Sequence, residues 1–370
     1  MRILCLTLLL AACAQAQDPL LWGGLEPGPH AVGFQSFIDL DPSRDYGGKA
    51  RPILFEIWYP ASNAPGAAVP YARYLQVPDV AIHPQFRKRL ETHVRSVVID
   101  DLFHKKEGAL SAGERAAFDK LLATATTTHL DAAPLPERFP VILYHPGAGG
   151  SFEENSVLFE YLASNGYVVV SSAFESPFPK NVANNMGGIE RSGPDFAFMS
   201  LQSRQWAYAD ALQLAVMGHS AGAQNLLQWI GSPSCPARAA VSLDTTLEYP
   251  KSYELNTYLR AALAKLTPPR IPVLLFAQAR LHPQFQVFDQ YLIDAPRYEA
   301  EAAEVSHDGF VTHGFLGRAL TGQPNADAVR RGYEEICRTI RAFLDASFGA
   351  RPLEQFAASS PVTLRYRPAR

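Results

Sequence analysis

The pentapeptide Gly218-His219-Ser220-Ala221-Gly222 constrains this chain more than any other stretch. An apolar run from Leu212 to Met217 leads into it, and a helix-forming run from Ala221 to Ile230 leaves it. A strand that passes directly into a helix needs a very sharp turn. Glycine at the two flanking positions removes side chains where the backbone crowds. Such a turn lifts Ser220 above the end of a sheet and aims the first N–H groups of the helix at any negative charge that develops beside it. A Gly-x-Ser-x-Gly run alone is weak evidence, because short glycine and serine patterns arise by chance. The strand before it and the helix after it give it weight, and make Ser220 the candidate nucleophile.

The chain around this turn alternates strands and helices. Val141 to Tyr144, Tyr167 to Ser172, Arg238 to Leu243, Ile271 to Ala277 and Arg297 to Val305 read as strands. Between and after them, Glu153 to Ala163, Phe196 to Trp206, Tyr253 to Lys265 and Ala326 to Phe348 read as helices, the first closed by Asn165-Gly166. This alternation predicts an α/β fold, a mostly parallel sheet with helices on both faces. Upstream, His30 to Asp41 and Ile53 to Tyr59 read as two further strands, with Pro60 ending the second. The stretch 63–139 differs: it carries helical patterns at Phe86 to Leu102 and Glu114 to Ala123, the latter opened by a capping box over Ser111 to Glu114. It reads as a helical insertion between early strands, within one domain spanning residues 18–350. Residues 351–370 form a tail with no assignment.

Residues 1–17 have the form of an export signal: Arg2, then an apolar run from Ile3 to Ala12 that is too short to span a bilayer. Two cleavage readings compete. Ala14-Gln15-Ala16 fits ordinary secretion, and Leu10-Ala11-Ala12-Cys13 has the form of a bacterial lipobox, which would tether the protein through a lipid on Cys13. The lipobox is slightly favoured. An exported protein is expected to be periplasmic, extracellular or membrane-tethered, and that compartment permits a disulfide between Cys235 and Cys337, the cysteines of the body. Cys-x-x-Cys spacing and close His/Cys clusters are lacking, so the sequence supports no zinc site. A formal charge of -3 gives no electrostatic reason for a nucleic-acid partner, and Arg87-Lys88-Arg89 reads as a solvated helix face.

A serine at such a turn needs a base and an acid, and on this architecture they follow it in the order acid, then histidine. His282, His307 and His313 are the histidines beyond Ser220. His307 follows the last strand, in a loop that can swing an imidazole over the sheet edge, and is the candidate base; His313 is the reserve and His282 the weakest. The loop after Ile271 to Ala277 reads Gln278-Ala279-Arg280 and holds no carboxylate, while Asp289 and Asp294 come later in a helical stretch. Asp244, at the end of the strand Val241-Ser242-Leu243, is the candidate acid, against the plainer reading as a turn cap. Its role would be to hold the imidazole tautomer and stabilise imidazolium. The loop His145-Pro146-Gly147-Ala148-Gly149-Gly150 follows another strand and can present a backbone N–H to an oxyanion. Ala148 and Ala221 are the expected donors. This loop lacks the spacing of phosphate-binding glycine loops, so no nucleotide cofactor is expected.

These landmarks together resemble the platelet-activating factor acetylhydrolase and predicted dienelactone hydrolase group of α/β hydrolases. The resemblance is carried by Ile57-Trp58-Tyr59-Pro60-Ala61, the loop from His145, the turn around Ser220, Leu243-Asp244, and Ser306-His307 with Phe310, over roughly Leu54 to Leu316. Two departures stand out: a proline is inserted in the oxyanion loop, and the stretch between Tyr167 and Gly218 is short and loop-rich. Serine replaces the cysteine nucleophile of dienelactone hydrolases proper. The resemblance thus implies an α/β-hydrolase fold and a serine carboxylic-ester hydrolase without a cofactor, acting on a small-molecule or lipid ester. The insertion and the loop Phe174 to Asp195 would shape the pockets, with Tyr71, Tyr74, Phe174 and Phe178 suited to an apolar acyl group and equally to plain packing. An amidase or peptidase would share the same residues, and a non-catalytic binding relative is the reading from another class.

Overall fold

The structure, a computed structural model, describes residues 19–62, 67–173, 192–249, 263–285, 288–349 and 364–369, with isolated positions at 257, 261, 353, 356 and 362. The leader expectations over 1–17, Phe174, Phe178 and most of the helix expected at Tyr253 to Lys265 lie outside these residues.

Strands β1 (Ala31–Asp45), β2 (Ala50–Ala61), β3 (Thr128–Leu130), β4 (Phe139–His145), β5 (Val168–Ser171), β6 (Ala209–His219), β7 (Ala239–Leu243), β8 (Val273–Gln278), β9 (Arg297–Ala302) and β10 (Leu364–Arg367) form one sheet. Their order is β10-β9-β8-β7-β6-β4-β5-β2-β1-β3. The run from β5 to β9 is parallel, whereas β2 is antiparallel to both its neighbours and β10 is antiparallel to β9. Parallel strands buried on both faces need apolar residues at every position, and Val168-Val169-Val170 shows this. Val169 joins one core and its two neighbours join the other.

The first core is covered by α1 (Phe86–Phe103), α2 (Ala112–Ala123), α3 (Ser156–Ser164), α6 (Thr312–Leu320) and α7 (Ala326–Ser347). The second is covered by α4 (Ser192–Ser203) and α5 (Ser220–Trp229). Helix α7 shows why its sequence chooses this place. Val329, Tyr333, Ile336, Ile340, Phe343 and Leu344 recur at helical spacing and are all buried. At α2, Ser111 accepts from the Glu114 N–H and the Glu114 carboxylate accepts from the Ser111 N–H, which completes the expected capping box.

Several boundaries differ from the sequence reading. Helix α3 begins at Ser156 rather than Glu153, because residues 152–155 form turns that bring Glu153 and Glu154 into the interior at 0% and 2% exposure. The unassigned tail contributes β10, whose Arg365 and Arg367 approach the nearly buried Glu299 of β9. The short β3 carries too few residues to show a period; it extends the sheet beside β1. Cys235 and Cys337 are free thiols rather than a disulfide. The reason is topological: Cys337 belongs to the core on one face of the sheet and Cys235 packs against the core on the other.

Candidate active site

The strand registers set the site. His145 of β4 pairs with Gly218 of β6, His219 of β6 with Leu243 of β7, and Leu243 with Phe276 of β8. The carboxyl ends of four strands are therefore level, and the loops that leave them open onto one side of the sheet, where ligands bind in parallel α/β folds. Ser220 stands at the start of α5 with φ of 53°, in the left-handed region that a side chain adopts at a cost of roughly 1–3 kcal/mol. Close packing holds it there. A Cβ at Gly218 would lie 2.6 Å from the Ala223 nitrogen, and one at Gly222 would lie 2.2 Å from the His145 carbonyl oxygen. Both obstacles are backbone, which cannot swing aside. Gly222→Ala is expected to lower stability by about 1–3 kcal/mol or more. The check is thermal unfolding of the purified variant, where an unchanged Tm would contradict this packing.

Three side chains from separate loops meet above the sheet. The Ser220 hydroxyl lies 2.9 Å from His307 Nε2, and His307 Nδ1 lies 2.6 Å from Asp244 Oδ2. The carboxylate accepts from Nδ1–H, which leaves the Nε2 lone pair to accept from the serine hydroxyl. Asp244 is fully buried and has φ of 50°. Burial alone would raise its pKa, but hydrogen bonds from His307, Tyr249 and the Gln278 N–H outweigh this and hold the carboxyl below its ordinary value. The Gln278 backbone N–H donates to Oδ1 at 3.0 Å and its side-chain amide to Oδ2 at 2.9 Å. Tyr249 O–H also donates to Oδ1. Gln278, the last residue of β8, thus clamps the acid of the loop after β7, although the loop that Gln278 leads into offers no acid.

The His307 loop is pinned from two sides. Arg318 of α6 donates to Ser306 Oγ at 2.6 Å and to Asp308 Oδ2 at 3.0 Å, gripping both neighbours of the histidine. His219 Nε2–H donates to the His307 carbonyl at 2.9 Å. Burial, with the adjacent His307, pushes the His219 pKa down to about 3, so this ring stays neutral.

The loop after β4 faces Ser220 across the site. The Gly147 N–H donates to Glu154 Oε1 at 3.1 Å and is thereby engaged inward. Ala148 and Gly149 line the cavity above it, and the Ala221 N–H belongs to the first turn of α5, where backbone donors have no partner within the helix.

The other sequence candidates lie elsewhere. Asp289 pairs with Arg297 at 2.7 Å and Asp294 with Arg270 at 3.6 Å, and His282 sits on a turn after β8. His313 is buried, with Nδ1 3.1 Å from Asp101 Oδ2 and Nε2 2.9 Å from the Tyr71 hydroxyl. It faces the cavity but is spent in this network, which ties α1 of the insertion to α6. Burial pulls its pKa down, yet the Asp101 and Glu153 carboxylates outweigh this and raise it. For Tyr71 and Tyr74 the sequence leaves pocket lining and plain packing equally open; the structure buries them, at 0% and 1% exposure. Their hydroxyls are taken by His313, and by Thr128 and Glu160, which fixes the rings inside the core.

The cavity over Ser220 and His307 has a volume of about 450 Å³. Among the described residues its walls include Asp100, Asp101 and His104 from the end of α1 and its cap, with Glu154 and Asp308. Val311 and Ala148 are the apolar side chains among them. Sequence reasoning passed over Glu154, His219, Tyr249, Gln278 and Arg318. Gln278 is the one with a usable signal, since it stands directly at the end of a strand beside the acid-bearing strand.

No protein-family model matches the chain, and no curated protein matches its sequence. The mostly parallel sheet, the helices on both faces and the serine turn define an α/β-hydrolase fold. Among solved structures, a ferulic acid esterase from Streptomyces cinnamoneus is similar with a TM-score of 0.63 and 18% identity, over 93% of this chain and 98% of that chain. At that identity the likeness speaks for the fold.

Proposed function

We propose that this protein is a serine hydrolase of carboxylic esters, with Ser220 as nucleophile, His307 as base and Asp244 as the acid that orients it. The observation that carries the reading is the unbroken line from Ser220 Oγ through His307 to Asp244, at 2.9 Å and 2.6 Å, on the wall of a cavity. That a solved neighbour of the same fold is described as an esterase supports it. The motif likeness to the acetylhydrolase group supports a short acyl substrate within that class.

In the proposed reaction Ser220 Oγ attacks the ester carbonyl carbon while its proton passes to His307 Nε2. The carbonyl oxygen becomes an oxyanion held by the Ala148 and Ala221 N–H groups. Collapse expels the alcohol, which takes the proton from His307 and leaves an acyl-enzyme on Ser220. Water then gives its proton to His307 and attacks the acyl carbon, and the acid product leaves as Ser220 regains the proton. Asp244 stays ionised throughout, in keeping with its lowered pKa.

Among the described residues the walls carry the carboxylates of Asp100, Asp101 and Asp308, which favours a short acyl group over a long alkyl chain. Desolvating carboxylates against methylenes carries a penalty, whereas each methylene buried in an apolar wall would contribute about 0.8 kcal/mol. We expect kcat/KM for p-nitrophenyl esters to fall from acetate through butyrate to octanoate. Turnover rising with chain length would overturn the short-acyl reading, and failure on every ester with turnover of amides would favour the amidase. The export signal and the lipid anchor at Cys13 remain part of the proposal and rest on the sequence of residues 1–17. Their check is radiolabelled palmitate incorporation in wild type and Cys13→Ala.

A further inference from the structure

Glu154 sits directly beneath the loop that faces Ser220, and the proposed reaction gives it no role. Its side chain is nearly all buried, yet it touches both ends of a four-residue turn. Oε1 accepts the Gly147 N–H at 3.1 Å and the Tyr144 O–H at 2.7 Å. Oε2 occupies the place a side chain at Gly150 would need, 1.6 Å from where its Cβ would lie. The turn is closed by the Gly150 N–H, which donates to the Gly147 carbonyl at 3.1 Å, and it passes through Gly149 at φ of 89°. The Glu154 backbone is itself anchored, its carbonyl accepting the His313 N–H at 3.2 Å. A carboxyl that holds the first amide of a turn and packs against its last residue fixes the direction of the amides between them.

We propose that Glu154 is a positioning residue that holds the Gly147–Gly150 turn in the shape presenting the Ala148 N–H to the oxyanion. The proposal rests on the ester-hydrolase reading of the site. It also supplies a reason for the choice of donor: with Gly147 engaged by Glu154, Ala148 is the next amide along the turn.

The protonation of this carboxyl has a consequence for pH. Burial raises its pKa to about 8, against the lowering effect of the Tyr144 and Gly147 hydrogen bonds. The groups that face it are Tyr144 from β4, His219 from the end of β6 with Nδ1 at 3.8 Å, Asp101 from α1 and His313 from α6. Asp101 raises the pKa, His313 lowers it, and His219 is held neutral. Below about pH 8 the carboxyl is neutral and supports the turn without charge. Above that value it places a negative charge beneath the developing oxyanion, so kcat falls on the alkaline side.

The test is the pH profile of kcat and KM for p-nitrophenyl acetate in wild type, Glu154→Ala, Glu154→Gln and Tyr144→Phe. Glu154→Ala should lower kcat by on the order of 10²-fold with little change in KM, the pattern of a lost transition-state interaction. Glu154→Gln keeps an acceptor for the Gly147 and Tyr144 donors, so it should recover most of that loss and show no alkaline fall. Tyr144→Phe removes a hydrogen bond that lowers the Glu154 pKa, so the fall should move to higher pH. A wild-type kcat in Glu154→Ala, or an unchanged alkaline limb in Glu154→Gln, overturns the proposal. Circular dichroism and labelling of Ser220 by a fluorophosphonate establish that each variant is folded. Should the alanine variant not fold, the glutamine and phenylalanine variants decide. A wild type that neither hydrolyses esters nor takes the label removes the underlying reading; an active wild type with indifferent variants removes the Glu154 proposal alone.

Discussion

Ser220→Ala is expected to lower kcat for p-nitrophenyl acetate by about 10⁶-fold while leaving the fold intact. The proposed chemistry needs an oxygen 2.9 Å from His307 Nε2, and alanine has none. Removing the hydroxyl should do little else. Ser220 Oγ points at the cavity, and alanine keeps the Cβ that already tolerates φ of 53° between two close-packed glycines. Circular dichroism and Tm should therefore match wild type. His307→Gln should cost a similar factor, and the double variant no more than either single one, because the two side chains act as one unit. Residual activity of about 10³–10⁴ over water would persist in all three from the backbone donors and substrate binding. A Ser220→Ala protein that still turned over esters at more than a hundredth of the wild-type rate would sink the assignment of the nucleophile.

How much of this was legible in the sequence depends on the range over which each residue's reason acts. The turn at Ser220 is local: strand, glycine, serine and helix all lie within one stretch of chain, so motif and geometry coincide. The sheet was legible because parallel strands buried on both faces carry unbroken apolar runs such as Tyr167 to Val170. Asp244 and His307 are 63 residues apart; chain order narrowed the candidates, their places after strand ends chose between them, and the structure brings the two together. What resisted reading depends on three-dimensional neighbours. Nothing in the sequence around Tyr71 separates a pocket aromatic from a core one, and its inward place follows from His313, 242 residues away. Glu153 and Glu154 read as the polar start of a helix, since buried carboxylates run against every composition rule unless their partners are known. Residues 364–367 offered four alternating residues with two arginines, and only a nearly buried Glu299 on the edge strand gives those arginines a reason.

Asp244→Asn should lower kcat by about 10⁴-fold, and the reason lies in the direction of the hydrogen bonds around it. Oδ1 receives Tyr249 O–H and the Gln278 N–H, while Oδ2 receives His307 Nδ1–H and the Gln278 side-chain amide. Every one of these partners donates. An asparagine must turn its own NH₂ toward one side. If its oxygen stays with Tyr249 and the Gln278 backbone, its nitrogen faces His307 and the Gln278 amide. The imidazole can then meet it only by accepting at Nδ1, which places the proton on Nε2, opposite Ser220 Oγ. That tautomer cannot take the serine proton, although every heavy atom stands where it did. The variant also loses the negative charge that stabilises imidazolium in the transition state, so kcat should fall with KM nearly unchanged. Stability should fall as well, because a buried donor would face the Gln278 amide donor, at a cost of about 1–3 kcal/mol. Kinetics on p-nitrophenyl acetate beside thermal unfolding of the same preparation read both effects. A variant within tenfold of wild-type kcat would show that Asp244 is a turn residue that happens to touch His307, and would return the search for the acid to the buried carboxylates across the cavity.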